Sequence, residues 1–348
     1  MSVTAELWLN REELVQSFHL ATIYGILGTW RRCERLKTTP QEPDFVAGLV
    51  TESTPLIHSA LNALLSPRGI SVSMCAVFCH QKPEVTFSSH PSGSCELGDI
   101  LFAYIHTQKN GAQRRNALLF QAKSSAQQPY RIHRGEANQL KLYTDWPDFE
   151  YKRSSIVLNG HKRTVTPKTP HAGAQYLLID DSLPSDPRSG LLGFPETYPV
   201  GCYMPDELLR DHSRLADELF NLLIFRSGRP FEDKNAARKT EDWSQVVWDL
   251  LEIGVKKSFQ RKNSGRYYTP RSAGDTLAML DGTVFARASS RMSYSTASDI
   301  VGQYDASIIY AGKDDVPPDY RNRENDFREP EAGVSVVLIE TSEQESEG

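Results

Sequence analysis

Long apolar segments are missing from this chain. No run of about 18 apolar residues occurs, which is the length a helix needs to cross a membrane. The N-terminus, Met-Ser-Val-Thr-Ala-Glu-Leu-Trp, also lacks the basic-then-apolar pattern of a signal peptide. We therefore expect a cytoplasmic protein that does not contact a membrane.

Cysteine is scarce, and the cysteines that are present do not form close pairs. No Cys-x-x-Cys pair occurs, which argues against a zinc ribbon. Cys75 and Cys79 lie in an apolar stretch, which predicts buried free thiols. The five cysteines are scattered along the chain: Cys33, Cys75, Cys79, Cys95 and Cys202.

The chain also lacks an excess of basic residues. It has 39 Lys and Arg against 44 Asp and Glu, a net charge of −5. A protein that coats nucleic acid through bulk charge is usually basic, so this balance argues against such coating but not against a local basic groove. The 348 residues, 39% hydrophobic and 24% charged, suffice for one large domain or two ordinary ones with a substantial core.

The most informative feature that is present is a predicted β-hairpin. Two apolar arms flank a polar turn at Asn110-Gly111, which is a strong hairpin signal. Folding at this turn brings Asp99 close to Gln121 and Lys123, and the last two share one face of their strand. A carboxylate, an amide and an ammonium group then converge at one end of the hairpin. This chemistry suits a divalent cation bound beside a phosphate.

The order of Asp99, a hairpin and Gln121-Ala122-Lys123 resembles the signature of the PD-(D/E)XK phosphodiesterase superfamily, which is Asp, a hairpin and (Glu/Gln)-x-Lys. The resemblance implies an α/β protein with a restriction-endonuclease-like αβββαβ core and a mixed sheet. It implies that Mg²⁺ or Mn²⁺ binds Asp99, the amide oxygen of Gln121 and the backbone carbonyl of Ala122. Asp99, Gln121 and Lys123 are then the expected catalytic residues, with Lys123 stabilising the developing charge or orienting the attacking water.

A second motif extends the resemblance to the next predicted helix. Gln139 and Tyr143 match the Gln-x-x-x-Tyr motif of the RecB-like branch of the superfamily. They are four residues apart and so share one helix face. The resemblance implies that this pair contacts substrate or supports Lys123, and an ordinary helix–sheet contact is the alternative.

The predicted site needs another acidic residue, because Gln121 is neutral where Glu would carry a charge. The superfamily often supplies a Glu from the preceding helix. Glu52 is the best match in this chain and is expected to be catalytic. Glu96, three residues before Asp99, is the competing candidate.

Basic side chains on the loop between Lys123 and Gln139 are candidates for substrate binding. If this loop borders the end of the sheet, Arg131 and Arg134 would form a local basic rim that contacts phosphates. Solvated loop charges without a ligand are the alternative.

Composition divides the chain into three predicted segments. These are an N-terminal helical segment (1–40), a nuclease-like core (41–182) and a mostly helical C-terminal region with a late strand and an acidic tail (183–348). Within them we predict helices over 6–37, 44–52, 54–65, 205–226 and 242–259, and strands over 70–79, 155–158, 175–180 and 333–339. The late strand could pair with the N-terminal half, so two independent domains are not assured.

The resemblance implies a Mg²⁺-dependent nuclease acting on DNA, of a kind common in prokaryotic restriction and anti-phage defence. A catalytically inactive nuclease-fold subunit that binds nucleic acid or a protein partner is the main alternative. The test between them is whether Glu52 or Glu96 lies within metal-bridging reach of Asp99. A third hypothesis is an interaction scaffold that binds a protein partner, or a second copy of the chain, through its C-terminal half.

Overall fold

One mixed β-sheet, covered by helices on both faces, organises the chain. The structure is a computed structural model. The residues that it describes are 2–35, 37–79, 83–88, 93–127, 129–152, 158–168, 172–181, 200–210, 212–240, 242–258, 277–280, 283–285 and 333–343.

The described chain begins with four helices, and most of its strands come after them. The helices are α1 (Val3–Leu9), α2 (Arg11–Arg35), α3 (Glu42–Gly48), α4 (Thr54–Leu65), α5 (Ala137–Asp145), α6 (Leu215–Leu223), α7 (Lys234–Thr240) and α8 (Trp243–Ser258). A π-helical turn, Leu49–Ser53, joins α3 to α4, and 3₁₀ turns cover Ser66–Arg68 and Arg134–Glu136. The strands are β1 (Ile70–Phe78), β2 (Glu84–Phe87), β3 (Cys95–Glu96), β4 (Ile100–Thr107), β5 (Gln113–Ser124), β6 (Tyr130–Arg131), β7 (Phe149–Lys152), β8 (Lys162–Arg163), β9 (Ala174–Ile179), β10 (Val200–Tyr203), β11 (Leu208–Leu209), β12 (His212–Arg214), β13 (Arg229–Pro230), β14 (Leu277–Leu280), β15 (Thr283–Phe285) and β16 (Ser335–Glu343).

The main sheet contains both parallel and antiparallel neighbours. Its strand order is β12-β10-β9-β5-β4-β16-β1-β14-β15, and β13 pairs separately with β5. The strands β4 and β5 form an antiparallel hairpin, whereas β9 returns parallel to β5 after the chain has passed through α5. The predicted α/β class with a mixed sheet is therefore confirmed.

Alternating side chains build an apolar core on each face of the sheet. Phe102 and Phe120 point to one face, where they join the core made with α1 to α4 and α6. Leu101 and Leu119 point to the other face and pack in a second core that includes Tyr143 of α5 and residues of α8. Burial on both faces explains why β4 is apolar along nearly its whole length.

The last described strand lies in the middle of the sheet. β16 runs parallel to β4 and antiparallel to β1, so it separates two strands from the N-terminal half of the chain. At its start, the Ser335 N–H donates to the carbonyl oxygen of Asp99 at 2.9 Å, and the Ser335 hydroxyl donates to the carbonyl oxygen of Cys79 at 2.8 Å. The C-terminal strand therefore helps to hold the backbone of Asp99.

The region after residue 200 is less helical than predicted. The helix expected over 205–226 begins only at Leu215, because the chain before it forms the short strands β11 and β12. The helix expected over 242–259 is present as α8. Since the described part of this region contains strands as well as helices, a mostly helical C-terminal half is not confirmed.

Several boundaries in the first half also differ from the prediction. α3 begins at Glu42, two residues before the predicted start. Asp44 lies in its first turn, where its Oδ2 accepts the Gln41 N–H at 2.8 Å. The predicted gap between the helices over 44–52 and 54–65 is absent, because the π-helical turn Leu49–Ser53 joins α3 directly to α4. The strand predicted over 155–158 falls mainly outside the described residues.

The structure also bears on what the sequence predicted about cysteines and membrane-crossing helices. All five cysteines lie in the described part of the chain and none of them forms a disulfide, with Cys79 buried and Cys75 partly buried. In the described part of the chain, no helix has the length and apolar character needed to cross a membrane.

Candidate functional site

The β4–β5 hairpin brings Asp99 to the end of β5. The Asp99 N–H donates to the Phe120 carbonyl oxygen at 2.8 Å, and Asp99 Oδ2 accepts the Ala122 N–H at 2.8 Å. The same oxygen accepts a short hydrogen bond from the Gln121 side-chain amide. The carboxylate is thus fixed by the strand that carries the rest of the predicted motif.

Close packing beside Gly98 shapes the approach of the chain to Asp99. A Cβ atom added at Gly98 would lie 2.8 Å from Leu119 Cδ1 and 2.9 Å from the Tyr143 hydroxyl oxygen. The Tyr143 hydroxyl donates to the Leu97 carbonyl oxygen at 2.9 Å. A glycine is therefore needed where α5 supports the start of β4.

This geometry favours a supporting role for Tyr143 over the substrate contact that the motif implies. Its side chain is buried, 2% exposed, and it stacks on Trp146 with ring centroids 5.9 Å apart. The hydroxyl contacts the backbone that leads to Asp99, so Tyr143 supports the site from within the protein. Gln139 is partly exposed one turn earlier, and no hydrogen bond in the described part of the chain joins it to Asp99 or Lys123.

Lys123 is buried and surrounded by carboxylates. Its Nζ lies 3.1 Å from Glu136 Oε1. Burial alone would lower the pKa of Lys123, but Glu42, Asp99 and Glu136 outweigh that effect and raise the pKa above its ordinary value. Lys123 is therefore a charged ammonium group at neutral pH.

Three carboxyl groups at this end of the sheet repel one another. Burial and the nearby charges of Glu42 and Glu96 raise the pKa of Asp99 well above its ordinary value. Burial, followed by Glu96 and Glu136, raises the pKa of Glu42 to about 7, although Lys123 opposes the rise. Burial and Glu84 raise the pKa of Glu96. A cation placed among these groups would relieve their repulsion.

The two candidates for the additional acid have different surroundings. Glu52 forms an ion pair with Arg32 of α2 at 2.6 Å, and its carboxylate packs over Gly28. Glu96, by contrast, helps to raise the pKa of Asp99 through its nearby charge. The ion pair of Glu52 and the electrostatic effect of Glu96 on Asp99 favour Glu96 over Glu52 as the additional acid.

Sequence reasoning missed Glu42 and Glu136. The predicted helix begins only at residue 44, whereas α3 begins at Glu42. Pro43 early in the helix and Asp44 in its first turn are signals that would have marked this start. Glu136 follows β6 in a short 3₁₀ turn, and no local pattern predicts its contact with Lys123.

The two arginines predicted to bind substrate lie on the same loop as Glu136. Arg131 belongs to β6 and Arg134 begins the 3₁₀ turn, and both side chains are exposed. Both residues are therefore accessible from solvent.

The donor atoms at the site suit a hard divalent cation. The carboxylate of Asp99 is accompanied by the Gln121 side-chain oxygen, which is buried and has no hydrogen-bond partner. Among the described residues, no group of three or more His, Cys, Asp or Glu side chains could hold a metal ion. The residues therefore fit Mg²⁺ or Mn²⁺ only if one carboxylate, neutral oxygens and water serve as its ligands, which is a common arrangement for Mg²⁺.

Comparisons of this chain with protein-family models, curated proteins and solved structures found no match. The fold and the site together define a mixed α/β protein with a buried Asp–Gln–Lys centre at one end of its main sheet.

Proposed function

We propose that this protein is a metal-dependent nuclease that hydrolyses phosphodiester bonds in DNA. The observation that carries the proposal is the contact of Asp99 Oδ2 with the Ala122 N–H at 2.8 Å. This contact joins the two halves of the Asp…Gln-x-Lys motif, which are 22 residues apart from Asp99 to Gln121. A carboxylate, an amide oxygen and an ammonium group then share one end of the hairpin.

Each side chain has a distinct role in this proposal. Asp99 and the Gln121 side-chain oxygen, with the Ala122 carbonyl, would hold Mg²⁺ or Mn²⁺ beside the scissile phosphate. When bound, the cation would neutralise phosphate charge and make a bound water more acidic. Lys123 binds the phosphate or orients water with an ammonium group that its acidic surroundings keep protonated. Glu42 and Glu96 add negative potential when they are ionised, which attracts the cation.

The arrangement of strands supports a restriction-endonuclease-like core. The β4–β5 hairpin, the helix α5 and the parallel strand β9 follow one another in the order expected of the αβββαβ core. In the main sheet β16 lies between β1 and β4, whereas the expected core contains only strands that follow one another in the chain. The proposal therefore treats the C-terminal strand as part of the core.

Substrate and context belong to the same proposal. The exposed Arg131 and Arg134 would contact phosphates on either side of the scissile bond. We place the enzyme in the cytoplasm, in prokaryotic defence against foreign DNA or in DNA processing. A net charge of −5 favours recruitment of DNA to a local site over coating by bulk charge.

The direct test is cleavage of supercoiled plasmid and linear DNA by the full-length protein with Mg²⁺, Mn²⁺ or EDTA. Wild type, Asp99→Asn and Lys123→Ala are compared with Asp148→Asn, a substitution at an exposed surface pair. Cutting that needs the metal, persists in Asp148→Asn and is lost in both site variants supports the proposal. Equal cutting by wild type and Lys123→Ala would contradict it.

A nuclease-fold subunit that binds without cutting is the second candidate. It is favoured by the neutral Gln121 and by the lack, among described residues, of a three-residue acidic metal group. This candidate predicts that wild type binds DNA or a protein partner but cuts nothing with either metal. Loss of that binding in Lys123→Ala would assign the same surface to recognition.

A further inference from the structure

Glu136 is the carboxylate in direct contact with Lys123. Its Oε1 lies 3.1 Å from Lys123 Nζ, and both side chains are largely buried, with exposed fractions of 20% and 11%. Glu136 lies beyond the end of β5, outside the Asp…Gln-x-Lys motif. The contact is therefore made by a loop that the motif does not include.

Glu136 itself is held by its own loop. The His133 N–H donates to Glu136 Oε2 at 2.9 Å, and the Tyr130 hydroxyl lies 3.2 Å from each carboxylate oxygen. These donors, with Lys123, outweigh the effect of burial and lower the pKa of Glu136. The carboxylate is consequently charged and fixed before any ligand arrives.

The loop that carries Glu136 is anchored to the region after residue 200. Its strand β6 pairs with β11, so that Arg131 lies opposite Leu208. The Ile132 N–H also donates to the Glu207 carbonyl oxygen at 3.0 Å. The position of Glu136 therefore depends on contacts between segments about 75 residues apart in the chain.

We propose that Glu136 is a positioning residue that holds the Lys123 ammonium group in place for phosphodiester cleavage. The inference rests on the proposed nuclease function and assigns a role to a residue outside its motif. A lysine side chain is long and flexible, and its ammonium group has three donors. One donor contacts Glu136, which leaves two for a phosphate oxygen and a water. Tyr130 and the His133 backbone act through Glu136 by restraining its carboxylate.

This role differs from a simple structural role of the same carboxylate. Glu136→Gln keeps the shape and an oxygen that can accept from His133 and Tyr130, but it removes the charge that orients Lys123. A structural role predicts that this variant melts at a lower temperature and loses activity independently of Lys123. A positioning role predicts unchanged folding and an effect that requires Lys123 to be present.

The experiment is a double-mutant cycle on metal-dependent DNA cleavage. Wild type, Glu136→Gln, Lys123→Ala and the double variant are compared for kcat, KM and melting temperature. Glu252→Gln is the matched control, because Glu252 forms a similar ion pair with Lys234 at 2.8 Å on the exposed side of α8. It should leave all three quantities unchanged.

We expect Glu136→Gln to lower kcat by about 10- to 100-fold, the size typical of residues that orient a reacting group, with KM changed by less than about twofold. In the Lys123→Ala background the same substitution should change the residual cleavage rate, followed at high protein concentration, by less than about twofold. Full activity of Glu136→Gln, beside a wild type that cuts and a strongly impaired Lys123→Ala, would overturn the positioning role while leaving the proposed function intact. An additive loss in the double variant would also overturn it. A wild type that cuts nothing would overturn the proposed function, and the positioning role with it.

Discussion

Asp99 and Ala122 are joined across the end of the β4–β5 hairpin, where Asp99 Oδ2 accepts the Ala122 N–H at 2.8 Å. The backbone of Asp99 is held from the other side by the Ser335 N–H of β16 at 2.9 Å. The carboxylate is therefore fixed by β5 and the backbone of Asp99 by β16, although burial and nearby acids oppose the charge of the carboxylate. Keeping the Asp99 carboxylate in a buried, acidic site lowers the stability of the metal-free protein, which is a common cost of a binding site.

Asp99→Asn should stabilise the metal-free protein and abolish its response to metal. The amide oxygen can still accept from Ala122, while the buried charge disappears. With Mg²⁺ at about one hundred times its dissociation constant, wild type should gain about 2.7 kcal/mol, and the variant should gain none. Thermal unfolding at pH 8 in EDTA and in Mg²⁺ measures both effects. An equal gain from Mg²⁺ in both proteins would place the metal elsewhere.

Stability in EDTA should fall as the pH rises from about 4.5 to about 7, because of Glu42. Its pKa is 4.5 ordinarily and about 7 in the folded protein. Below pH 4.5 the group is protonated in both states, whereas above pH 7 the folded state holds a charge that its site disfavours. Urea unfolding across this range measures the slope.

Glu42→Gln should make that slope shallower, since the amide does not titrate. The exposed Glu12→Gln serves as the control and should keep the wild-type slope. Parallel curves for wild type and Glu42→Gln would show that Glu42 is not the titrating group. Because the pKa values of Glu96 and Asp99 are also raised, part of the slope should remain in Glu42→Gln.

Asp249→Ala should strongly destabilise the protein. Arg163 donates to both Asp249 oxygens, at 2.8 and 3.2 Å, and the two side chains are only 5% and 4% exposed. Removal of one partner leaves an uncompensated buried charge, which costs about 3–5 kcal/mol. Asp148→Ala breaks an exposed pair with Lys168 and should cost less than about 1 kcal/mol. Urea unfolding of both variants tests the difference, and similar costs would contradict it.

Tyr143→Phe should reduce stability without weakening substrate binding. The variant leaves the buried Leu97 carbonyl oxygen without its donor, at a cost of about 1–3 kcal/mol. KM for DNA should change by less than about twofold, because the hydroxyl faces the backbone and not the solvent. A large rise in KM with unchanged stability would instead restore the substrate contact implied by the Gln-x-x-x-Tyr motif.

The hairpin and its contents were predictable because their determinants are local. Asn110-Gly111 specifies the turn: Gly111 has φ of 80°, and the Asn110 side chain accepts the Ala112 N–H. Once the turn is placed, the two-residue period of strands brings Asp99 to Gln121 and Lys123. The helix boundary at Leu215 was missed because strand pairing after residue 200 overrode an apolar pattern.

The sequence by itself determined the α/β class, the hairpin and the residues that converge at its end, since these depend on periodicity and turn chemistry over about 25 residues. Only the tertiary structure decided that β16 lies between β1 and β4 and that Glu42 and Glu136 join Lys123, while Glu52 pairs with Arg32. Those contacts join segments far apart in the chain. Several acidic residues have the same local chemistry, and the packing of helices on the sheet determines which of them lie near Lys123. The physical reason is that the sequence gives the chemistry of each side chain directly, whereas which side chains lie close together depends on the whole fold.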